Sequence, residues 1–307
     1  MSDHRKPIAV VGSINMDLVA RTRQIPRPGQ TVTGTGFAMT PGGKGANQAV
    51  AAAQLGYPVE MVGAVGEDLF GESLIENLIQ TGVGTAAVTR VAGPSGVAPI
   101  LVAENGENCI VVVPGANGRV DRAVIRKQAH LICSAGMVLC QLELPLDTVS
   151  FVLALCAEAG VPVMLDPAPA APLPEETWRE VAWFTPNESE AALYAGDGLT
   201  VEDAAQKLLE KGLRGVVLKR GGEGAYVAVA SGRAAWVRPF PVDTVDTVAA
   251  GDCFNGAFAV SLLEGNDPWT AARFASAAAA ISVTRHGAQA SMPSRAEVDA
   301  FLAQRAE

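Results

Sequence analysis

Ile8-Ala9-Val10-Val11-Gly12-Ser13-Ile14-Asn15-Met16-Asp17 begins as an unbroken apolar run and ends in an amide and a carboxylate two residues apart. A run that is apolar at successive positions, not at alternate ones, suits a strand covered on both faces. Runs of this kind recur at Val59–Val65, Met137–Leu142, Val161–Leu165, Trp183–Phe184 and Gly215–Leu218. Helical patterns fall between them at Asn47–Leu55, Leu69–Thr81, Leu146–Ala159, Glu188–Ala195 and Val201–Lys211. The alternation predicts an α/β protein with a mostly parallel sheet flanked by helices. Ala225–Val229 and Ala235–Val242 read as an antiparallel pair at one edge, and helices are expected at Ala249–Leu263, Thr270–Arg285 and Arg295–Gln304.

Two stretches break the rhythm. Leu18–Met39 mixes Thr, Val and Gly without a helical period, and Gly96–Val113 reads as a hairpin around Glu104-Asn105-Gly106-Glu107. Asn-Gly between strand formers is a strong hairpin signal. The two pieces are expected to form one small β-sheet lid, approximately 18–39 and 96–113. It would stand over the C-terminal edge of the main sheet, where open α/β folds bind ligands. Residues 1–307 are otherwise read as a single domain, with no internal repeat.

Composition narrows the function classes. The chain has 307 residues, 49% hydrophobic, with a formal charge of −9 and no Lys/Arg cluster, which argues against a nucleic-acid surface. No apolar run reaches membrane-spanning length. Met1–Lys6 is polar and shows no signal peptide. The five cysteines (Cys109, Cys133, Cys140, Cys156, Cys253) lack a CxxC spacing and lie mostly in apolar runs, the pattern of buried thiols in a reducing compartment. A cytoplasmic protein is expected, with Asn187-Glu188-Ser189 carrying no sugar. His4, His130 and His286 share no spacing and are assigned to neither metal nor catalysis.

Six strings carry candidate chemistry. In Gly12–Asp17, Asn15 and Asp17 can grip a vicinal diol or simply shape a turn. Pro41-Gly42-Gly43-Lys44-Gly45-Ala46-Asn47-Gln48 is not a Walker A loop, because Gly45 follows the lysine. Its glycines admit a ligand close to the backbone before a helix, or serve as a connection capped by Asn47. Glu143 ends an apolar strand, as a helix-start acid or a sugar ligand. Asn187 and Glu190 stand three residues apart at a helix start, as a cap or as organisers of the water shell of Mg²⁺. Lys219-Arg220-Gly221-Gly222-Glu223-Gly224 is a glycine-rich turn where a backbone can meet a nucleotide. Finally, Asp246-Thr247-Val248-Ala249-Ala250-Gly251-Asp252 opens a helix with a carboxylate beside its unpaired N–H groups. That arrangement suits either a cap and dipole partner or an anion site with a base beside it.

Together, and over essentially the whole chain, these strings resemble the ribokinase (PfkB-type) family of carbohydrate and nucleoside kinases. Gly42–Ala49 and Asp246–Asp252 carry the resemblance; Gly12–Asp17 and Thr284-Arg285-His286-Gly287-Ala288-Gln289 are most similar to the ribose-phosphorylating members. The resemblance implies a ribokinase-like, Rossmann-like fold and ATP-dependent phosphorylation of the 5-hydroxyl of D-ribose. Asp252 would be the base, with Ala249, Ala250 and Gly251 completing the anion hole. Asn15, Asp17, Gly43, Lys44, Asn47 and Glu143 would hold the sugar. Asn187, the Lys219–Gly224 loop, Gly251 and Ser276 would meet ATP, with Glu190 serving Mg²⁺ through water. Asp246, Val248, Ser282, Arg285, Gly287 and Ser291 match positions that hold K⁺, mostly as carbonyl donors. Val248, Cys253 and Ser276 depart from the residues common in the family. A kinase for another sugar or nucleoside, and a silent sugar-binding protein, are the alternative readings. Exposed strand edges in the lid further predict a homodimer through it, sensitive to charge at Val32 or Ile100.

Overall fold

The structure, a computed structural model, describes residues 5–305; His4 and the first part of Met1–Lys6 lie outside the described residues. The strands are β1 (Ile8–Val11), β2 (Asn15–Thr22), β3 (Gly36–Gly42), β4 (Val59–Gly66), β5 (Val88–Val91), β6 (Gly96–Ala103) and β7 (Asn108–Ile110). They continue with β8 (Met137–Cys140), β9 (Val163–Leu165), β10 (Trp183–Phe184), β11 (Gly215–Lys219), β12 (Ala225–Val229) and β13 (Ala234–Val237). The helices are α1 (Lys44–Gln54), α2 (Leu69–Gln80), α3 (Arg122–Lys127), α4 (Ala129–Ser134), α5 (Leu146–Ala159) and α6 (Thr177–Glu180). Next come α7 (Glu188–Ala195), α8 (Val201–Glu210), α9 (Ala250–Leu263), α10 (Pro268–Ser282) and α11 (Arg295–Ala303).

Nine strands form the main sheet in the order β13-β12-β11-β10-β9-β8-β1-β4-β5. Every pairing from β11 to β5 is parallel; β12 pairs antiparallel with both β11 and β13. Alternate residues of the apolar strands serve opposite cores, as a doubly covered sheet requires. Ile8 and Val10 pack with α1, α2, α9, α10 and α11. Ala9 and Val11 pack with the layer built from α3 to α8.

Several boundaries differ from the expectations. The edge strand expected to reach Val242 stops at Val237, because Pro239 and Pro241 cannot donate to a ladder. The helix expected from Asn47 starts at Lys44, and the one expected from Thr270 starts at Pro268, where Asp267 accepts N–H bonds from Trp269 and Thr270. β5, α3, α4 and α6 were not anticipated; they are short and have little periodicity. Cys140, Cys156 and Cys253 are buried as expected, whereas Cys109 is exposed on β7.

The two irregular pieces do combine into a second sheet, ordered β3-β2-β6-β7, with β2 and β6 parallel. It runs further towards the main body than expected, from Asn15 on one strand and to Gly42 on the next. Residues 23–35 are irregular, so Val32 lies outside the strands. The hairpin turn is where Asn-Gly placed it, with Gly106 at φ 86° and its N–H donating to the Ala103 carbonyl at 3.0 Å. Among the described residues no helix is long and apolar enough to cross a membrane.

Candidate active site

Helix α9 begins without a side-chain cap. Its N-cap residue, Ala249, sits at φ 58° and ψ 13°, the left-handed region, and is the one non-glycine residue with positive φ among those described. For an L-residue that conformation costs about 1–2 kcal/mol. Outliers of this sort persist where surrounding structure fixes a functional backbone shape. Here it lies at the helix start, where Ala250 N donates to the Thr247 carbonyl at 3.3 Å and the helix dipole adds positive potential.

Asp252 stands in that first turn, 5% exposed. Its Oδ2 accepts from Asn47 Nδ2 and its Oδ1 from Gln48 Nε2, each at 3.0 Å. Burial raises the carboxyl above its ordinary value; the Lys44 ammonium opposes this, Asp166 adds to it, and the two amide bonds favour the anion. The result is a buried carboxylate more basic than a surface one. Asn47 is itself held by Gln289 Nε2 at 3.2 Å, and Gln289 by Asn77 Nδ2 at 2.6 Å. Burial would lower the Lys44 ammonium, but Asp252, Asp166, Glu143 and Glu190 outweigh it and hold the cation firmly charged.

On the expected sugar side, Ser13 Oγ donates to Glu143 in a short bond, and Lys44 N donates to the same carboxylate at 3.1 Å. Asn15 Oδ1 accepts from Asn117 Nδ2 at 2.7 Å, and Asn117 Oδ1 also accepts from Ile14 N at 2.9 Å. Asp17 is pushed up to about 7 by burial, then by the charges of Glu143 and Asp252. Glycine leaves these groups their present positions. A Cβ on Gly42 would collide with the Asp17 carboxylate, and one on Gly96 with the side chains of Asn117 and Asn15.

On the other side lies a cavity of about 680 Å³, whose lining includes Lys44, Asp166, Asn187, Glu190, Lys219, Gly221, Gly222, Gly224, Ala249–Asp252 and Ser276. Lys219 contributes a side chain as well as backbone, its Nζ lying 3.1 Å from Asp166 Oδ1. Asn187 and Glu190 form a reciprocal capping box at α7, so the local cap is realised while both still face the cavity. Burial raises the Glu190 carboxyl, partly offset by the Asn187 N–H and by Lys219 and Lys44. Arg220 and Glu223 do not line the cavity; they pair with each other at 2.8 Å, and Arg220 also pairs with Glu188.

Of the expected cation positions, Val248 and Gly287 bond directly to Asp246. Its carboxylate accepts from Val248 N and Gly287 N, each at 3.0 Å, and Asp246 N donates to the Val283 carbonyl at the end of α10. Ser282 O accepts from Arg285 N, whereas the Arg285 side chain turns away to Glu297. Ser291 donates to the Ala288 carbonyl at 2.7 Å. Among the described residues no group of three or more His, Cys, Asp or Glu side chains could hold a metal ion. His130 lies in α4 and His286 in a bend.

Asp166, Gln48, Gln141, Asn117, Gln289 and Ser13 were not singled out from the sequence. Asp166 follows an apolar strand, the same signal that marked Glu143, and could have been found that way. The amides carry no such signal, because their partners come from distant segments.

A model of the pfkB family carbohydrate kinases matches residues 5–295. The ribokinase of Bacillus subtilis is 44% identical over 301 residues, covering 96% of this chain and 99% of that protein. The ribokinase of Thermotoga maritima superposes with a TM-score of 0.90 at 41% identity, covering 97% of this chain and 99% of that one. The Arabidopsis thaliana ribokinase, solved with ribose and ATP, superposes with a TM-score of 0.89 at 33% identity, again covering 97% and 99%. By that match over nearly its whole length and by its likeness to these relatives, the chain belongs to the pfkB family of carbohydrate kinases.

Proposed function

We propose that this protein transfers the γ-phosphoryl group of ATP to the 5-hydroxyl of D-ribose, giving D-ribose 5-phosphate and ADP. The observation that carries the reading is Asp252: a buried, raised carboxylate at an uncapped helix start, bonded on one side to Asn47 and neighboured by Lys44. The sugar hydroxyl would give its proton to Asp252 as its oxygen bonds to the γ-phosphorus. The bond from that phosphorus to the β–γ bridging oxygen breaks, and ADP leaves. The N–H groups of Ala249 to Asp252 would stabilise the charge on the transferring group. Asn15, Asp17, Gly43, Lys44, Asn47 and Glu143 would orient the sugar.

Asn187, Lys219, Gly221, Gly222, Gly224, Gly251 and Ser276 would meet the nucleotide, with Arg220 and Glu223 bracing the turn from outside. Cavity-facing Glu190 suits Mg²⁺ held through water, since that ion keeps its waters and favours oxygen donors. When bound with ATP, Mg²⁺ neutralises phosphate charge. The Asp246 carboxylate and neighbouring carbonyls are the hard oxygen donors that K⁺ favours, which supports a monovalent activator there.

Residues 1–307 would act as one domain whose four-stranded sheet is the lid, in a cytoplasmic homodimer. Large apolar side chains left exposed on that sheet, Phe37 at 66%, Met39 at 57% and Ile110 at 51%, support pairing lid against lid. A coupled ADP-release screen across pentoses, hexoses and nucleosides, with and without K⁺, tests the proposal. D-ribose should give the highest kcat/KM; a nucleoside or hexose ahead of it would overturn the assignment.

A further inference from the structure

Gln48 is 1% exposed and lies next to Asn47 in α1, yet the sugar and nucleotide contacts give it no task. Its Nε2 donates to Asp252 Oδ1 and to Asp166 Oδ2, both at 3.0 Å, so its amide hydrogens bridge two buried carboxylates. Its Oε1 accepts from Gln141 Nε2 at 2.8 Å. The flipped amide would turn an oxygen towards both carboxylates and a donor towards Gln141 Nε2, so the network allows one orientation. Asp166 continues the chain to Lys219 Nζ at 3.1 Å. That ammonium lies 3.4 Å from the place a Cβ would occupy on Gly251, in the anion-binding turn.

We propose that Gln48, acting with Asp166, is a positioning residue for phosphoryl transfer: one amide aims the Asp252 carboxylate and, through Asp166, holds the Lys219 ammonium over the anion hole. The proposal rests on the kinase reading above. Two buried carboxylates this close repel in a poorly screened interior, and the Asp166 charge disfavours the anion at Asp252. A neutral amide with a hydrogen for each offsets that repulsion and favours the anion at Asp252, which a base requires. The other oxygen of Asp252 is held by Asn47, which the sugar also claims, whereas the Gln48 bond has no such competitor. Lys44 from α1, Asp166 after β9 and Asp17 on β2 are the charged groups facing Asp252, with Glu143 beside Asp17. The chain of bonds thus ties the base on one side of the site to the cation on the other.

The test is kcat against pH for the full-length wild type, Gln48→Met and Asp166→Asn, with KM measured for both substrates. Gln48→Met removes a donor and uncovers the repulsion, so the acid limb should move to higher pH. Its kcat should fall about 10- to 100-fold, the scale of a displaced reacting group, with both KM values within about threefold. Asp166→Asn removes the neighbouring charge, so the acid limb should move to lower pH, and KM for ATP should rise as Lys219 loses its anchor. Opposite shifts are the signature. A merely structural role would lower Tm while leaving kcat per active site and the acid limb unchanged. That result, or shifts of the same sign in both variants, overturns the proposal. Should Gln48→Met not fold, an unmoved limb in Asp166→Asn overturns it alone. A wild type inactive on ribose defeats the substrate assignment instead; the sugar accepted in the screen then takes its place and the same two shifts decide.

Discussion

The first turn of α9 and the four-stranded sheet contribute to one site by opposite means. Both oxygens of Asp252 already hold amide donors, and those amides are held in turn by Gln289 and Gln141. The small sheet instead leaves Phe37, Met39 and Ile110 in the open, and its β7 is three residues long. The contrast separates two requirements of a kinase. The reacting groups need a geometry fixed before substrate arrives, because reorganising dipoles during reaction costs rate. The sugar-covering element needs contacts that are completed later, by substrate or by a second copy of the chain.

The largest effect should come from the pre-set half. Asp252→Asn keeps the shape and removes the proton acceptor, so kcat should drop by about 10²–10⁴-fold in steady-state assays. Ribose affinity, measured by calorimetry, should stay within a few-fold; near-normal kcat would mean that the fixed geometry serves something other than proton transfer. Next comes the diol. Hydroxyl-binding groups left unpaired cost about 1–3 kcal/mol, so 2-deoxyribose should lose about 10- to 100-fold in kcat/KM against ribose. Equal use of the two sugars would remove Asn15 and Asp17 from that task.

A third prediction concerns pH on the sugar side. Asp17 is raised to about 7 by burial and by its acidic neighbours, so the folded site favours its protonated form only below about pH 7. A carboxylate accepting two hydroxyl protons must be ionised, hence ribose affinity should be full above about 7 and weaken below it. The limit is tenfold per pH unit for a single proton, and Asp17→Asn should abolish the slope; a flat profile in the wild type would show that the sugar does not need the anion. The smallest effect on turnover should come from the open half. Charges at Phe37 and Ile110, on opposite faces of the sheet by register, should convert a dimer to monomer in light scattering with kcat changed only a few-fold. A wild-type monomer at micromolar concentration would end the lid-pairing idea.

The sequence was most readable where one local pattern decides the outcome. Apolar runs placed six main-sheet strands, and Asn105-Gly106 placed the hairpin. It was least readable where the outcome depends on convergence. The Gly43 turn lets α1 start at Lys44, and Asp166 gains its meaning from Gln48 and Lys219, 118 and 53 residues away. Asn187 and Glu190 looked like either a cap or a ligand pair, and the fold makes them a cap that also faces the cavity. Ala249 has no sequence signal for a left-handed residue, since glycine is the usual occupant.

The glycines beside the sugar contacts bear on how such a pocket can diversify. A Cβ at Gly42 would displace the Asp17 carboxylate, and one at Gly96 the side-chain ends of Asn15 and Asn117. Single substitutions there damage the site instead of reshaping it, which closes that wall to gradual evolutionary tuning. Changes in sugar preference are therefore expected to accumulate at the exposed positions of the same sheet, where large side chains already tolerate water. A saturation library at those two glycines, compared with one at the exposed Phe37, Met39 and Ile110, would expose the asymmetry as a difference in the fraction of active clones.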